Sequence, residues 1–490
     1  MEPRYQHQET ANEHLWNNDV FALIMEQGTG KSRPILDDWV RRVYAGLAQD
    51  LVIFAPKGCY LNWIIGNEDN PSEIDRWLPG GFVFTAAPWI SGANTKQTLA
   101  LARLLHATVP RILVMNIEAL NLPKSPARKY LLEFLAKRKV IGVVDESTTI
   151  AHESAKRTKY LLFEVAHRFV TRRILSGLVA PESAMDLYTQ YHYLDPRIIG
   201  LPSFITFMRR YAEIEMVDYR PMHLRDSNRF KLVPKILSYK NLDELNQKIM
   251  AKSYRVTKDE VLDLPPKIYK FWDVELDEDQ RKIYRQMRDI ATAQLKEGLY
   301  STASMKLDQL GKLQHILCGH VRNEDGTLTD IPETRTDAII EILHGHAGKA
   351  IIWCPWPQAL RKIRDRLCEE FGEDSTVGYW GETKLEDRVI ARDRIMNDDA
   401  CRFIVSNQSV GKFGNTWTSC NLVIYYANSF DNEDRQQSED RAHRIGQTKS
   451  VTYIDLRAKG TIDEKLIHVL RKKINMASTL VGDEFRTWLI

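Results

Sequence analysis

The sequence predicts an α/β protein with two parallel-sheet lobes and a mostly helical insert between them. Three observations predict it. First, apolar runs of four to seven residues recur in two series. LVIFA (51–55), RILVM (111–115), KVIGVVD (139–145) and RRILS (172–176) form one; KAIIWC (349–354), RFIVS (402–406), LVIYY (422–426) and VTYIDL (451–456) form the other. Second, amphipathic, helix-periodic stretches separate the runs. Short apolar strands alternating with helices indicate parallel sheets covered on both faces. Third, the middle of the chain changes character. NLDELNQKIMAKSYRVTKDEV (241–261) and DEDQRKIYRQMRDIATAQLKEG (277–298) are long, charged and helix-periodic, with a Leu-Pro-Pro break at 264–266. The expected division is a first lobe at 1–185, a helical insert at 186–335, a second lobe at 336–460 and a C-terminal brace helix at 461–490.

The bulk numbers agree with a soluble multidomain protein. The chain has 490 residues, room for about two to four domains. No apolar run approaches the ~18 residues of a membrane span, and the N-terminal MEPRYQHQETANEH lacks a secretory apolar segment. The six cysteines (59, 318, 354, 368, 401 and 420) contain no C-x-x-C pair. That fits a reducing cytoplasm and argues against a zinc ribbon or disulfide framework. The net charge is only +3, so charge alone does not announce nucleic acid. Basic clusters such as Lys124/Arg128/Lys129, Arg172-Arg173 and Arg209-Arg210 are each expected as solvated faces.

Two motifs carry chemistry in the first lobe. LIMEQGTGKS (23–32) leads from apolar residues into Gly-Thr-Gly-Lys-Ser. Glycines let a backbone fold round a phosphate with its N–H groups inward, and a following helix offers its N-terminus to the anion. Gln27, Gly28, Thr29 and Gly30 would form that cradle. Lys31 would reach the β and γ phosphates, and the Ser32 hydroxyl would bind Mg²⁺. Met25 stands where the general pattern has its first glycine. The second motif is VVDESTTIAH (143–152), an apolar strand ending in Asp145-Glu146. That is the expected place for a carboxylate on Mg²⁺ (Asp145) and one that activates water (Glu146). Together the motifs predict ATP and Mg²⁺ as cofactors.

The second lobe holds the most specific string, QQSEDRAHRIGQTKSVTYIDL (436–456). Arg441 and Arg444, three apart, are expected one helical turn apart on a shared face. D-R-A-H-R-I-G-Q resembles the arginine-finger motif of superfamily-two helicases, specifically the Swi/Snf-like translocases. Other stretches resemble that family in the same order, over nearly the whole chain: RYQHQ (4–8), APKGCYLNW (55–63), RILVMNIEAL (111–120), SGLVAPESAMDLYTQYHYLDP (176–196), YWGETKLEDR (379–388) and SNQSVGKFGNTWTSCNLVIYY (406–426). The resemblance implies two RecA-like lobes with ATP bound in the cleft between them. It implies that Gln6 reads adenine, that Gly414 and Gln437 also serve the nucleotide, and that Arg441 and Arg444 act in catalysis beside Lys31 and Glu146. It implies DNA, duplex or branched, as the partner. Lys57, Asn62 and Asn116 in the first lobe, with Gln408 and Lys412 in the second, are candidates for phosphate contacts carrying little sequence preference.

The family's pattern is not followed everywhere. Thr148 stands where relatives have histidine, and His152 is a candidate substitute. Ser176-Gly177-Leu178 replaces Thr-Gly-Thr, and the glycine spacing at Gly411 and Gly414 is altered. These positions (Thr148, Ser176 and Gly177 above all) are implied to couple ATP to DNA rather than to perform the chemistry. The short chain resembles compact bacterial or phage-type members, expected as monomeric cytoplasmic motors that engage any protein partner through the insert. A different reading is a nucleotide-gated interaction protein that uses ATP only as a switch; RNA as the track is a third.

Overall fold

The computed structural model describes residues 3–66, 71–177, 180, 183–219, 231–296, 303–323, 325–411, 416–467 and 470. These fall into two compact bodies, one within Met1–Glu213 and Ser238–Asp263, the other within Ile214–Leu237 and Leu264–Lys473.

The first body is built on a seven-stranded sheet. Its strands are β1 (Val20–Met25), β2 (Asp50–Ala55), β3 (Thr85–Trp89), β4 (Arg111–Asn116), β5 (Val140–Asp145) and β6 (Thr171–Ser176). After a two-stranded ribbon, β7 (Ala212–Tyr219) and β8 (Lys231–Tyr239), comes β9 (Ser253–Val256). The order is β3-β4-β2-β5-β6-β1-β9, with every pair parallel. Central β2 is buried along its whole length, as an apolar strand covered on both faces must be. Pro88 interrupts β3, which a proline can do at a sheet edge because no ladder donor is lost there. Trp39, Ile53, Ile112, Val143 and Leu175 belong to the apolar core on one face. Buried ion pairs staple the lower end: Arg111 on Asp50 at 2.7 Å and Arg173 on Asp38 at 2.9 Å. Arg173, expected on a solvated face, is therefore a core residue; its charge is tolerated because Asp38 and the Leu15 and Asn18 carbonyls satisfy it.

The second body has a six-stranded parallel sheet in the order β10-β17-β16-β13-β15-β14. Its strands are β10 (Lys267–Asp273), β13 (Lys349–Trp353), β14 (Thr376–Tyr379), β15 (Phe403–Ser406), β16 (Cys420–Tyr425) and β17 (Val451–Arg457). A small hairpin, β11 (His320–Arg322) and β12 (Leu328–Asp330), lies apart from the sheet. Apolar clusters pack against it, one around Ile352, Leu360 and Ile424, another around Trp353, Trp417 and Tyr453.

Both sheets are parallel, as expected. The middle of the chain is divided differently from the expected insert. SYRV, read as part of a long helix, is β9 and completes the first sheet; KIYKFWD is β10 and completes the second. The chain passes between the bodies at Asp263/Leu264, at the Leu-Pro-Pro break, where prolines end regular structure. Helical residues are described after Thr461 as far as Leu470, and the remainder of the expected brace helix lies outside the described residues.

Candidate active site

The carboxyl ends of β4, β2, β5, β6 and β1 stand side by side, in the register Ala55↔Asn116, Phe54↔Val144, Asp145↔Leu175 and Ile24↔Ser176. In open parallel sheets this end is where ligands bind. The loop after β1 runs from Glu26 to Lys31 and enters helix α2 (Ser32–Tyr44). Gly28 and Gly30 take φ of 86° and 84°, a left-handed conformation that glycine adopts without strain. Thr29 folds the loop back, its N–H and hydroxyl both on Glu26 O. Lys31 Nζ donates to Met25 O at 2.9 Å.

Three neighbours brace this loop. From helix α1 (Gln6–Asn17), His7 Nε2 lies 2.8 Å from Thr29 O, and Gln8 Nε2 donates to Gly30 O at 3.2 Å. A Cβ at Gly30 would meet Gln8 Nε2 at 2.3 Å and displace that amide. From the far edge, Lys258 N donates to the Glu26 carboxylate at 2.9 Å. From the end of β6, a Cβ on Gly177 would come within 3.3 Å of Gln27 N. Gln6 is exposed beside His7 and Gln8. Gln6 is the residue implied for adenine, whereas His7 and Gln8 hold the loop.

Asp145 and Glu146 end β5. Gln27 Nε2 donates to Glu146 Oε1 at 3.3 Å, bringing the phosphate loop to the acidic pair across β6. Glu146 has φ 47°, unusual for a residue with a Cβ. Asp145 accepts the Trp63 indole N–H on Oδ2 at 2.9 Å and the Glu146 N–H on Oδ1 at 3.0 Å. Burial, and then the Glu146 charge, push its carboxyl up to about 7; Lys31 and the two donors act against them. A desolvated carboxylate pressed by a second one is relieved by a cation. A hydroxyl and a carboxylate are hard oxygen donors of the kind Mg²⁺ prefers, so the residues present fit Mg²⁺ held by Ser32 and Asp145.

The turn after Glu146 is tied to the Leu187–Leu194 helix, which follows β6. Ser147 Oγ donates to Gln190 Oε1 at 2.5 Å, and Thr189 Oγ1 donates to Ile150 O at 2.6 Å. Thr148 and Ser176 are buried nearby. His152 is exposed beyond the turn. Leu178 lies outside the described residues, as do Lys412 and Gly414.

Among the DNA candidates, Lys57 and Asn62 are exposed and Asn116 is half-buried, all at this end of the sheet. Gln408 differs from the expectation. It is 1% exposed, with its amide N–H directed at Ala427 O, because the short helix carrying it packs inward.

In the second body, the Asn432–Glu439 helix ends just before the arginines, and residues 440–446 form turns. Arg441 and Arg444 are therefore not one helical turn apart on a shared face. Arg441 is buried, its Nε donating to Gln437 O at 2.9 Å; Arg444 is half-buried, with Nη1 on Thr416 Oγ1 at 3.0 Å. The Gln447 amide locks the turn through the carbonyls of Thr418, Cys420 and Ala442. Gln437, also buried, donates to the Glu433 carboxylate at 2.6 Å. Beneath lies a buried charge network that sequence reasoning missed. Arg435 forks onto Asp455, bonds Glu439 and Asn428, and stacks 3.5 Å over the Tyr425 ring. Tyr269 donates to Glu439 at 2.7 Å, and Lys267 lies within 3.6 Å of Glu439 and 3.5 Å of Asp440.

Residues 334–446 match the helicase conserved C-terminal domain. The chain is 23% identical over 474 residues to the protein CHROMATIN REMODELING 4 of Arabidopsis thaliana, covering 89% of this chain and 19% of that protein. It is 26% identical over 473 residues to an uncharacterized ATP-dependent helicase of Mycoplasma pneumoniae, covering 94% of this chain and 40% of that one. Among solved structures, the SWI2/SNF2 ATPase core of Sulfolobus solfataricus in complex with dsDNA is 18% identical, covers 98% of this chain and 94% of that one, and has a TM-score of 0.40. The chain thus spans less than half the length of these two curated relatives. With a match to the helicase conserved C-terminal domain in its second body and remodeller and helicase relatives aligned along nearly its whole length, the chain is similar to the Swi/Snf-like helicases of superfamily two.

Proposed function

We propose that the chain hydrolyses ATP to move along duplex or branched DNA with little sequence preference. The observation that carries the reading is the Gln27–Glu146 hydrogen bond, which joins a glycine-lined phosphate loop to a desolvated acidic pair. Nucleotide hydrolysis needs both. In this reading the loop N–H groups from Gln27 to Ser32 hold the phosphates, and Lys31 exchanges Met25 O for phosphate oxygens. Mg²⁺ on Ser32 and Asp145 would draw charge from the phosphate oxygens. Glu146 takes the proton of the attacking water. Arg441 and Arg444 are assigned to charge on the transferring phosphoryl group, and Gln6, Gly414 and Gln437 to the nucleotide. Lys57, Asn62, Asn116 and Lys412 are assigned to DNA phosphates, which need local donors rather than a high net charge.

The test is phosphate release with and without nucleic acid, across single strands, duplex, fork, four-way junction and RNA. Duplex or branched DNA is expected to raise the rate strongly, with Lys31→Ala and Glu146→Gln abolishing it. Full turnover without DNA would sink the motor. Nucleotide binding without hydrolysis would instead favour the gated interaction protein. Displacement of a third strand from a triplex checks movement along the track separately from ATPase.

A further inference from the structure

The turns that carry the exposed DNA candidates are joined to each other and to the acidic pair. The turn after β2 runs from Pro56 to Trp63. Near its start, Lys57 N–H donates to the Glu118 carboxylate at 3.1 Å. Glu118 lies in the turn after β4, which opens with Asn116. At its end, Trp63 is 2% exposed and donates its indole N–H to Asp145. The Tyr60–Trp63 segment is one tight helical turn, and successive side chains on such a turn point about 120° apart. Asn62 accordingly faces solvent while its neighbour Trp63 faces the carboxylate.

Three other buried tryptophans, Trp39, Trp353 and Trp417, leave their indole N–H groups without a hydrogen-bond partner. At those three positions tryptophan is plain apolar filler, whereas the half-buried Trp77 and Trp356 donate to Glu73 and Gln314. At Trp63 the ring is apolar filler whose one polar atom rests on the proposed Mg²⁺ ligand. A rigid ring packed in the core transmits a displacement of its backbone directly to that oxygen.

We propose that Trp63 is a positioning residue: it links the DNA-contacting turns to Asp145, so that a duplex seated on Lys57, Asn62 and Asn116 changes how the carboxylate is held. This rests on the functional reading above. It assigns the coupling path to the strand-end turns of β2 and β4, independently of the altered Thr148, Ser176 and Gly177 positions.

The test measures binding, not turnover. A non-hydrolysable fluorescent ATP analogue is titrated into the full chain with and without Mg²⁺, each with and without saturating duplex. The wild type is expected to show a duplex-dependent change in Mg²⁺-dependent affinity of about fivefold or more, and by linkage the same factor for nucleotide acting on duplex affinity. In Trp63→Phe, which keeps an aromatic ring and loses the N–H, both factors fall toward one, and the change is confined to samples with Mg²⁺. Retention of the wild-type factors by a folded Trp63→Phe overturns the proposal. Should that variant not fold, Glu118→Ala decides, because it frees the same turn without touching the core; an unchanged factor there overturns it equally. A wild type that binds no Mg²⁺-nucleotide or no duplex refutes the functional reading itself, and this inference falls with it. A wild type that binds both without mutual effect refutes the inference alone.

Discussion

The phosphate loop and the arginine turn serve one proposed reaction but are held by different physics. The loop is braced by single contacts, largely to its own backbone carbonyls, from His7, Gln8 and the side chain of Lys31. Such bonds are each worth about 1 kcal/mol net and are readily exchanged for bonds to a ligand. The arginine turn stands on a buried cluster of full charges, with Arg435, Asp455, Glu439 and Lys267 mutually engaged. Breaking a buried pair strands a charge. The element assigned to the phosphates is thus kept exchangeable, while the element assigned to present the arginines is kept fixed.

The largest expected effect removes what the rigid turn presents. Arg444→Ala should lower the ATPase rate by ~10³ or more and leave the melting temperature near wild type, since Arg444 is half-buried at the end of a turn. Breaking the support should do the reverse. Arg435→Met, read by urea unfolding of the second body, is expected to cost about 3–5 kcal/mol because Asp455 is left buried and unpaired. If Arg435→Met proves neutral, the contrast between the two regions is lost. Next comes pH. Asp145 is raised to about 7, so at pH 6 the carboxyl holds a proton that Mg²⁺ must displace. Half-saturating Mg²⁺ for nucleotide binding should therefore rise by about tenfold from pH 8 to pH 6, one decade per unit below the pKa. In the ligand-free protein this group disfavours folding above about 7, and acidification through that value relieves the cost. The smallest effect sharpens the comparison within the first body. Ser147→Ala should cost about 1 kcal/mol and reduce stimulation by DNA without reducing the basal rate, since the Ser147 hydroxyl is bonded to Gln190 rather than to the acidic pair.

Strands buried on both faces were legible because their residues are apolar without interruption; β2, β5, β13 and β16 need no other information. Edge strands were not. KIYKFWD carries charges along β10 and SYRV is only four residues between helices, so pairing with β17 and β1 decides them rather than local pattern. The same divide runs through the site. Lys31, Ser32, Asp145 and Glu146 are adjacent in short motifs, and their chemistry is written in the residue types. Trp63 closes the APKGCYLNW stretch that resembles the family; its bond to Asp145 joins residues far apart in sequence, and nothing local encodes it. The arginine spacing suggested a helix, but Arg441 and Arg444 follow the helix end at Glu439. Spacing implies direction only while the helix lasts.

Glu146 sits in the left-handed region at φ 47°, a conformation costing a residue with a Cβ roughly 1–2 kcal/mol. In the proposed mechanism the position thus trades stability against activity. Glycine would relax the backbone there, so Glu146→Gly is expected to melt higher than Glu146→Gln while being equally inactive. Selection for a sturdier fold alone would favour discarding the carboxylate; the proposed role of Glu146 in turnover is what would keep an acid at this strained corner.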